Sequence, residues 1–142
     1  MKKMLVIAVA SLLASQAFAA DPIKDRKEAF KQYKPVVGQM GKMVKGETPY
    51  NKDEFAKLAT QLEELSQKPW QYFPAGSTAG KTDAKPEIWS KPAEWKQAID
   101  KHKAATAQLK QVALGGDLAA IKKQFGATQQ TCKACHDAFR KD

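Results

Sequence analysis

Apolar residues recur at helical spacing in four stretches of this chain, and nowhere do they alternate with the period of two that marks a strand. In the first stretch Phe30, Tyr33, Val37, Met40 and Val44 follow one another at intervals of three and four, drawing one stripe on a helix over about Ile23 to Val44. Asp21 before Pro22 reads as an N-cap with proline at the first helical position. Pro35 falls inside the pattern, removes a backbone hydrogen bond and predicts a kink. Gly38 and Gly41 weaken the same stretch. The second helix starts near Asn51, where Asn51 and Glu54 resemble a capping box with Asn in the place usual for Ser or Thr. Phe55, Leu58, Leu62 and Leu65 form its buried stripe, and Lys68-Pro69 ends it.

The segment from Pro69 to Lys91 has no such period. It holds Pro69, Pro74, Pro86, Gly76 and Gly80, which break helices, and Trp70, Tyr72, Phe73 and Trp89, which argue against disorder. These aromatic residues suit either packing over helix ends or covering a bound group. A third helix follows over about Pro92 to Ala113, capped at Ser90 or Lys91, with Trp95, Ile99, Leu109 and Val112 on its inner face. Gly115-Gly116 breaks the chain, and Asp117 caps a fourth helix with Leu118, Ile121 and Phe125 inward. Four amphipathic helices with mostly short links predict an all-α fold, an antiparallel four-helix bundle, with no internal repeat.

Residues 1–19 stand apart from this pattern. Lys2 and Lys3 precede an apolar run from Met4 to Leu13, and Ala17-Phe18-Ala19 is an A-x-A cleavage site. This reads as a secretory signal peptide cleaved after Ala19, with an apolar run too short to span a bilayer. Residues 20–142 then form one domain of 123 residues, enough for a proper core, with no membrane span. Without Lys2 and Lys3 the chain keeps 22 basic and 15 acidic residues, a net charge of +7. The basic residues are scattered, as solvated helix faces are. Export excludes nucleic acid as a partner, whereas a basic surface suits an acidic redox partner or an anionic membrane surface.

The chemistry is concentrated in Cys132-Lys133-Ala134-Cys135-His136. Cys-x-x-Cys-His is the attachment sequence of c-type haem: two thiols bond the macrocycle and the histidine becomes an axial iron ligand. On a helix the three side chains lie at i, i+3 and i+4, hence on one face. A thioredoxin-like disulfide wants alternating strands and helices, which are absent. A four-ligand zinc site wants further ligands, but these are the only two cysteines and His102 is the only other histidine. The expected cofactor is one haem c, attached through Cys132 and Cys135, with His136 on the metal and the macrocycle in the bundle core.

Five further segments then matter together: Arg26-Lys-Glu-Ala-Phe30, Val44-Lys-Gly-Glu-Thr-Pro-Tyr50, Pro69-Trp70, Asp83-Ala-Lys-Pro-Glu-Ile-Trp89 and Cys132-Lys-Ala-Cys-His-Asp-Ala-Phe-Arg140. With the attachment motif near the C-terminus, the chain resembles the cytochromes c′, the class II c-type cytochromes, over essentially all of residues 20–142. The resemblance implies a periplasmic four-helix bundle. It implies Arg26 against a haem propionate and Phe30 over the vacant sixth coordination position. It puts Asp83 in a loop near the haem and Arg140 on the proximal side, one turn after His136. Pro35 departs from the family pattern.

An apolar group such as Phe30 offers iron no lone pair, so the resemblance implies a five-coordinate iron that binds small diatomic gases, nitric oxide and carbon monoxide, and a role in nitric oxide protection or electron transfer. Nitric oxide weakens the trans bond to histidine and can end on the proximal face, near Arg140. The alternative is a six-coordinate electron carrier between periplasmic redox partners, with His102, Met40 or Met43 as sixth ligand. No acid–base pair or distal polar group of peroxidase type is legible, so no enzyme is expected. Relatives often pair through the first two helices, which makes a homodimer possible, although an exposed stripe and a core stripe read alike.

Overall fold

The computed structural model describes residues 20–142; the expected signal peptide and its cleavage site lie outside them. Six helices follow in order: α1 (Pro22–Lys31), α2 (Tyr33–Lys45), α3 (Lys52–Leu65), α4 (Glu87–Ser90), α5 (Pro92–Gly115) and α6 (Leu118–Phe139), with a 3-10 turn at Pro69–Tyr72. The expected first helix is thus two helices, broken at Gln32. The cause is Pro35, whose ring crowds the carbonyl four residues back, at Lys31. The break relieves this, because Pro35 then lies in the first turn of α2, where a missing N–H costs little. Asp21 caps α1 by accepting from the Lys24 N–H at 3.1 Å, with Pro22 at the first position.

Helix α3 opens as expected, with the Asn51 side chain accepting from the Glu54 N–H at 2.9 Å. It ends at Leu65, three residues before Lys68, because the chain tightens into i to i+3 bonds from Gln67 to Glu64 and from Lys68 to Leu65. The Ser66 carbonyl accepts from Trp70 Nε1 at 2.6 Å, which carries the chain into the 3-10 turn. Helix α5 runs on to Gly115 and closes on Gly116 at φ 74°, a left-handed position suited to glycine. Asp117 then caps α6 through the Ala119 N–H at 3.0 Å.

The bundle packs α2 on α3, α3 on α5 and α5 on α6, with α2 reaching α6. Its core is Val36 and Met40 of α2, Phe55, Leu58, Ala59, Leu62 and Leu65 of α3, Leu109 and Ala113 of α5, and Ile121 and Phe125 of α6. The first stripe therefore divides: Met40 is core, whereas Phe30, Tyr33 and Val37 are only half-buried and face a cavity. No helix among the described residues is long and apolar enough to cross a membrane.

The segment between α3 and α5 is ordered by its own side chains. Trp89 Nε1 donates to the carbonyls of Phe73 and Pro74, both at 3.1 Å. Buried Arg26 reaches into it from α1, with one terminal nitrogen donating to the Tyr72 carbonyl (3.3 Å) and Ser77 Oγ (2.9 Å). Its other terminal nitrogen donates to the Ser77 carbonyl (2.9 Å) and Thr82 Oγ1 (2.6 Å). The segment then pairs with the end of α6. Ala84 forms an antiparallel bridge with Arg140, where Lys85 N–H donates to the Phe139 carbonyl at 2.8 Å and Lys141 N–H to Asp83 at 2.7 Å.

Candidate haem site

The break at Gln32, the aromatic segment and the last turns of α6 enclose a cavity of about 610 Å³. Arg26, Phe30, Tyr33 and Val37 line it from α1 and α2, at helical spacing of four, three and four. Thr131, Cys132, Cys135, His136 and Phe139 line it from α6. Trp70, Phe73, Asp83 and Ile88 close it from the intervening segment, and Trp95 and His102 from α5. The aromatic walls brace one another edge to face: Phe30 on Trp70 at 5.8 Å, Trp70 on Trp95 at 5.7 Å and Trp95 on Phe139 at 5.1 Å between centroids.

Every site residue expected from the sequence borders this one cavity: Cys132, Cys135, His136, Arg26, Phe30, Asp83 and Arg140. Their settings differ. Cys132 and Cys135 are free thiols, half-buried. Burial pushes the Cys135 thiol up to about 11, with Cys132 adding to it, and burial likewise raises Cys132. Both sulfurs are therefore protonated at neutral pH. His136 is held below the ordinary imidazole value by burial and by Arg140, against an opposing pull from Asp137, so its ring is a neutral donor. Arg26 is buried, and burial lowers its pKa against the opposing charge of Asp21. Its guanidinium also lies 4.8 Å from the Phe73 ring centroid. Four of its five N–H groups are spent on the aromatic segment, leaving the one at Nε. Asp83 and Arg140 are exposed at the rim.

A haem fits this setting. The cavity lies within the roughly 300–1,000 Å³ typical of cofactor sites, and its walls are largely apolar and aromatic. Two unpaired thiols and a neutral imidazole project from one helix face into it. Among the described residues no group of three or more His, Cys, Asp and Glu side chains is arranged to hold a metal ion directly.

The reading of the sequence missed one polar group of the cavity and left a second as an alternative. Tyr33 reads as core and His102 only as a candidate sixth ligand, yet both line the cavity, and His102 is 6% exposed. His102 Nε2 lies 3.4 Å from the Tyr33 hydroxyl and Nδ1 lies 2.9 Å from Thr131 Oγ1. Polar side chains therefore do reach the pocket. The available signal is spacing: Tyr33 follows Phe30 by three, and His102 follows Trp95 by seven. Of the other two candidate iron ligands, Met40 is fully buried in the bundle core and Met43 is packed against it.

Comparison with known proteins gives the same answer. The sequence model of the Cytochrome C' family matches residues 21–140. Cytochrome c' of Alcaligenes xylosoxydans xylosoxydans is 37% identical over 121 residues, covering 85% of this chain and 94% of that protein. Two solved structures of cytochrome c prime from Alcaligenes xylosoxidans superpose closely. A nitric oxide complex of a leucine-to-alanine variant has a TM-score of 0.81 at 37% identity, covering 86% of this chain and 94% of that one. A leucine-to-glycine variant with bound carbon monoxide has a TM-score of 0.82 at 37% identity, covering 88% and 99%. With its fold, its cavity and its paired thiols all agreeing, this chain belongs to the cytochrome c′ family of haem c proteins.

Proposed function

We propose that this protein is a periplasmic haem c protein that binds nitric oxide and carbon monoxide at an open iron position, with nitric oxide protection as its role. The observation that carries the reading is the cavity itself. His136 enters it from α6, whereas α1 and α2 face it with Phe30 and Val37, which carry no group that can ligate iron, and with Tyr33, whose phenol burial keeps protonated and so a poor ligand. The related structures with nitric oxide and carbon monoxide support the same choice of ligand.

When bound, haem c would supply an iron able to take up a small neutral ligand. The residues of the chain do the rest. Cys132 and Cys135 would hold the macrocycle through their sulfurs. His136 would give the iron its protein ligand. Phe30, braced by Trp70 and Phe73, limits the size of what enters beside it. Arg26 keeps its Nε–H for a propionate while its other four N–H groups fix the cavity wall. Arg140 and Asp83 occupy the rim, with Arg140 on the side of His136. Arg140→Ala tests that assignment through the kinetics of nitric oxide complex conversion, and unchanged kinetics would remove Arg140 from the scheme.

The deciding experiment is an optical and resonance Raman spectrum of the purified ferrous protein before and after nitric oxide. A five-coordinate iron that takes up the gas supports the reading. A six-coordinate, low-spin iron indifferent to the gas overturns it and makes the protein an electron carrier with His102 as the sixth ligand.

A further inference from the structure

Tyr33 of α2, His102 of α5 and Thr131 of α6 make the one polar chain in the cavity that the gas-binding reading does not use. Its proton positions follow from counting donors. Thr131 has one hydroxyl proton, which goes to the Thr128 carbonyl at 2.6 Å. Toward His102, 2.9 Å away, the Thr131 oxygen can therefore only accept, and the imidazole proton sits on Nδ1. Nε2 is left with its lone pair facing the Tyr33 hydroxyl. Burial favours this neutral ring and, with help from His136, holds His102 down to about 4. The Tyr33–His102 separation of 3.4 Å is longer than an ordinary hydrogen bond of this kind, so the phenol proton is loosely held.

Tyr33 also shares a wall of the cavity with Phe30. Its ring lies 5.7 Å from that of Phe30, on the same stripe of the wall built by α1 and α2, whereas His136 comes from α6. We propose that Tyr33 is the hydrogen-bonding residue of the gas pocket: its hydroxyl, shared with His102 Nε2, donates to the outer atom of the bound diatomic. This rests on the gas-binding reading and adds a selection rule to it. An apolar wall sorts ligands by size alone. A phenol donor favours the ligand whose outer atom is the better acceptor, and so nitric oxide over carbon monoxide. His102 is a positioning residue. Its lone pair keeps the hydroxyl turned into the cavity and competes with the ligand for the single proton.

That competition gives the two residues opposite effects, which a merely structural role would not. The test is the C–O stretching frequency of the haem-loaded ferrous protein under carbon monoxide, in the wild type, Tyr33→Phe and His102→Phe. Donation to the bound ligand lowers this frequency. The expected order is Tyr33→Phe highest, wild type between, His102→Phe lowest. Nitric oxide should also leave Tyr33→Phe about two- to tenfold faster than the wild type, the factor that one neutral hydrogen bond supplies. Three equal frequencies, or both variants moving the same way, would overturn the hydrogen bond and leave gas binding standing. A wild type that forms no carbon monoxide complex would overturn both. If Tyr33→Phe fails to load haem, the other pair decides: a lower frequency in His102→Phe supports the proposal and any other result ends it.

Discussion

Replacing Arg26 with methionine should loosen the wall of the cavity without touching the helix that carries it. Methionine keeps the length and apolar bulk of the side chain and removes only the guanidinium. Two backbone carbonyls, the half-buried one of Tyr72 and the buried one of Ser77, and two hydroxyls, of Ser77 and Thr82, then lose their charged donor. The hydroxyls keep other bonds: Ser77 Oγ donates to the Pro74 carbonyl at 2.8 Å, and Thr82 Oγ1 accepts from the Ala84 N–H at 3.1 Å. The carbonyls have no such alternative among the side-chain bonds. At about 1.5–3 kcal/mol for each charged hydrogen bond to a group left unpaired, two carbonyls amount to about 3–6 kcal/mol. Desolvation of Arg26, which lowers its pKa, offsets part of this and keeps the loss below the top of that range. The assay is urea unfolding of the haem-loaded protein, together with limited proteolysis after Lys81 and Lys85. The expected result is a loss of about 3–5 kcal/mol and much faster cleavage at those two sites. A loss below about 1 kcal/mol with unchanged cleavage would show that Trp89 and the pairing with residues 139–141 hold the segment unaided.

Three further outcomes concern other residues. Cys132→Ala and Cys135→Ala should each leave haem bound through one thioether. Only the double variant should release it to acidified organic solvent, as measured by haem staining after denaturing electrophoresis. His102 is neutral in the native state down to about 4, so between the ordinary imidazole value near 6.5 and that point the unfolded chain takes up a proton the native ring refuses. Stability is then full above about pH 6.5 and falls by up to about 3 kcal/mol on acidification toward pH 4, and His102→Phe should flatten that slope in urea melts. Gly116→Ala forces a side chain onto φ 74° and brings its Cβ to 2.7 Å from the Lys52 side chain. Lys52 can swing away but the backbone strain stays, so thermal melts should show a loss of about 1–2 kcal/mol.

Legibility in the sequence followed the range of the interactions. Helices α3, α5 and α6 announce themselves because their stripes and caps are local: Asn51 with Glu54, Asp117 with Ala119. Pro35 announces a kink, but the break falls upstream at Gln32 because the ring collides with the carbonyl four residues back. Cys132, Cys135 and His136 are legible because haem attachment fixes their spacing. Tyr33 and Val37 read as core, and the stripe alone says no more of Phe30 until the family resemblance sets it over the haem, since an apolar stripe facing a cofactor and one facing a helix have the same period. The path of the aromatic segment is not local at all. Ser77 and Thr82 lie 51 and 56 residues beyond Arg26, and nothing in the intervening sequence pairs them with it. The Tyr33–His102 contact spans 69 residues and is hidden for the same reason.

The short antiparallel pairing of Ala84 with Arg140 fixes an order of construction. Its two strands lie 56 positions apart, and the later one comes only four residues after His136. Closing so distant a contact costs chain entropy that only a nearly finished bundle can offset. The segment carrying Phe73 and Asp83 is therefore the last wall to be set, and the residues that latch it emerge after both thiols. A bulky macrocycle can be joined to Cys132 and Cys135 while that side is still open, and the latch then shuts behind it. The chain is ordered so that its cofactor is installed before its door.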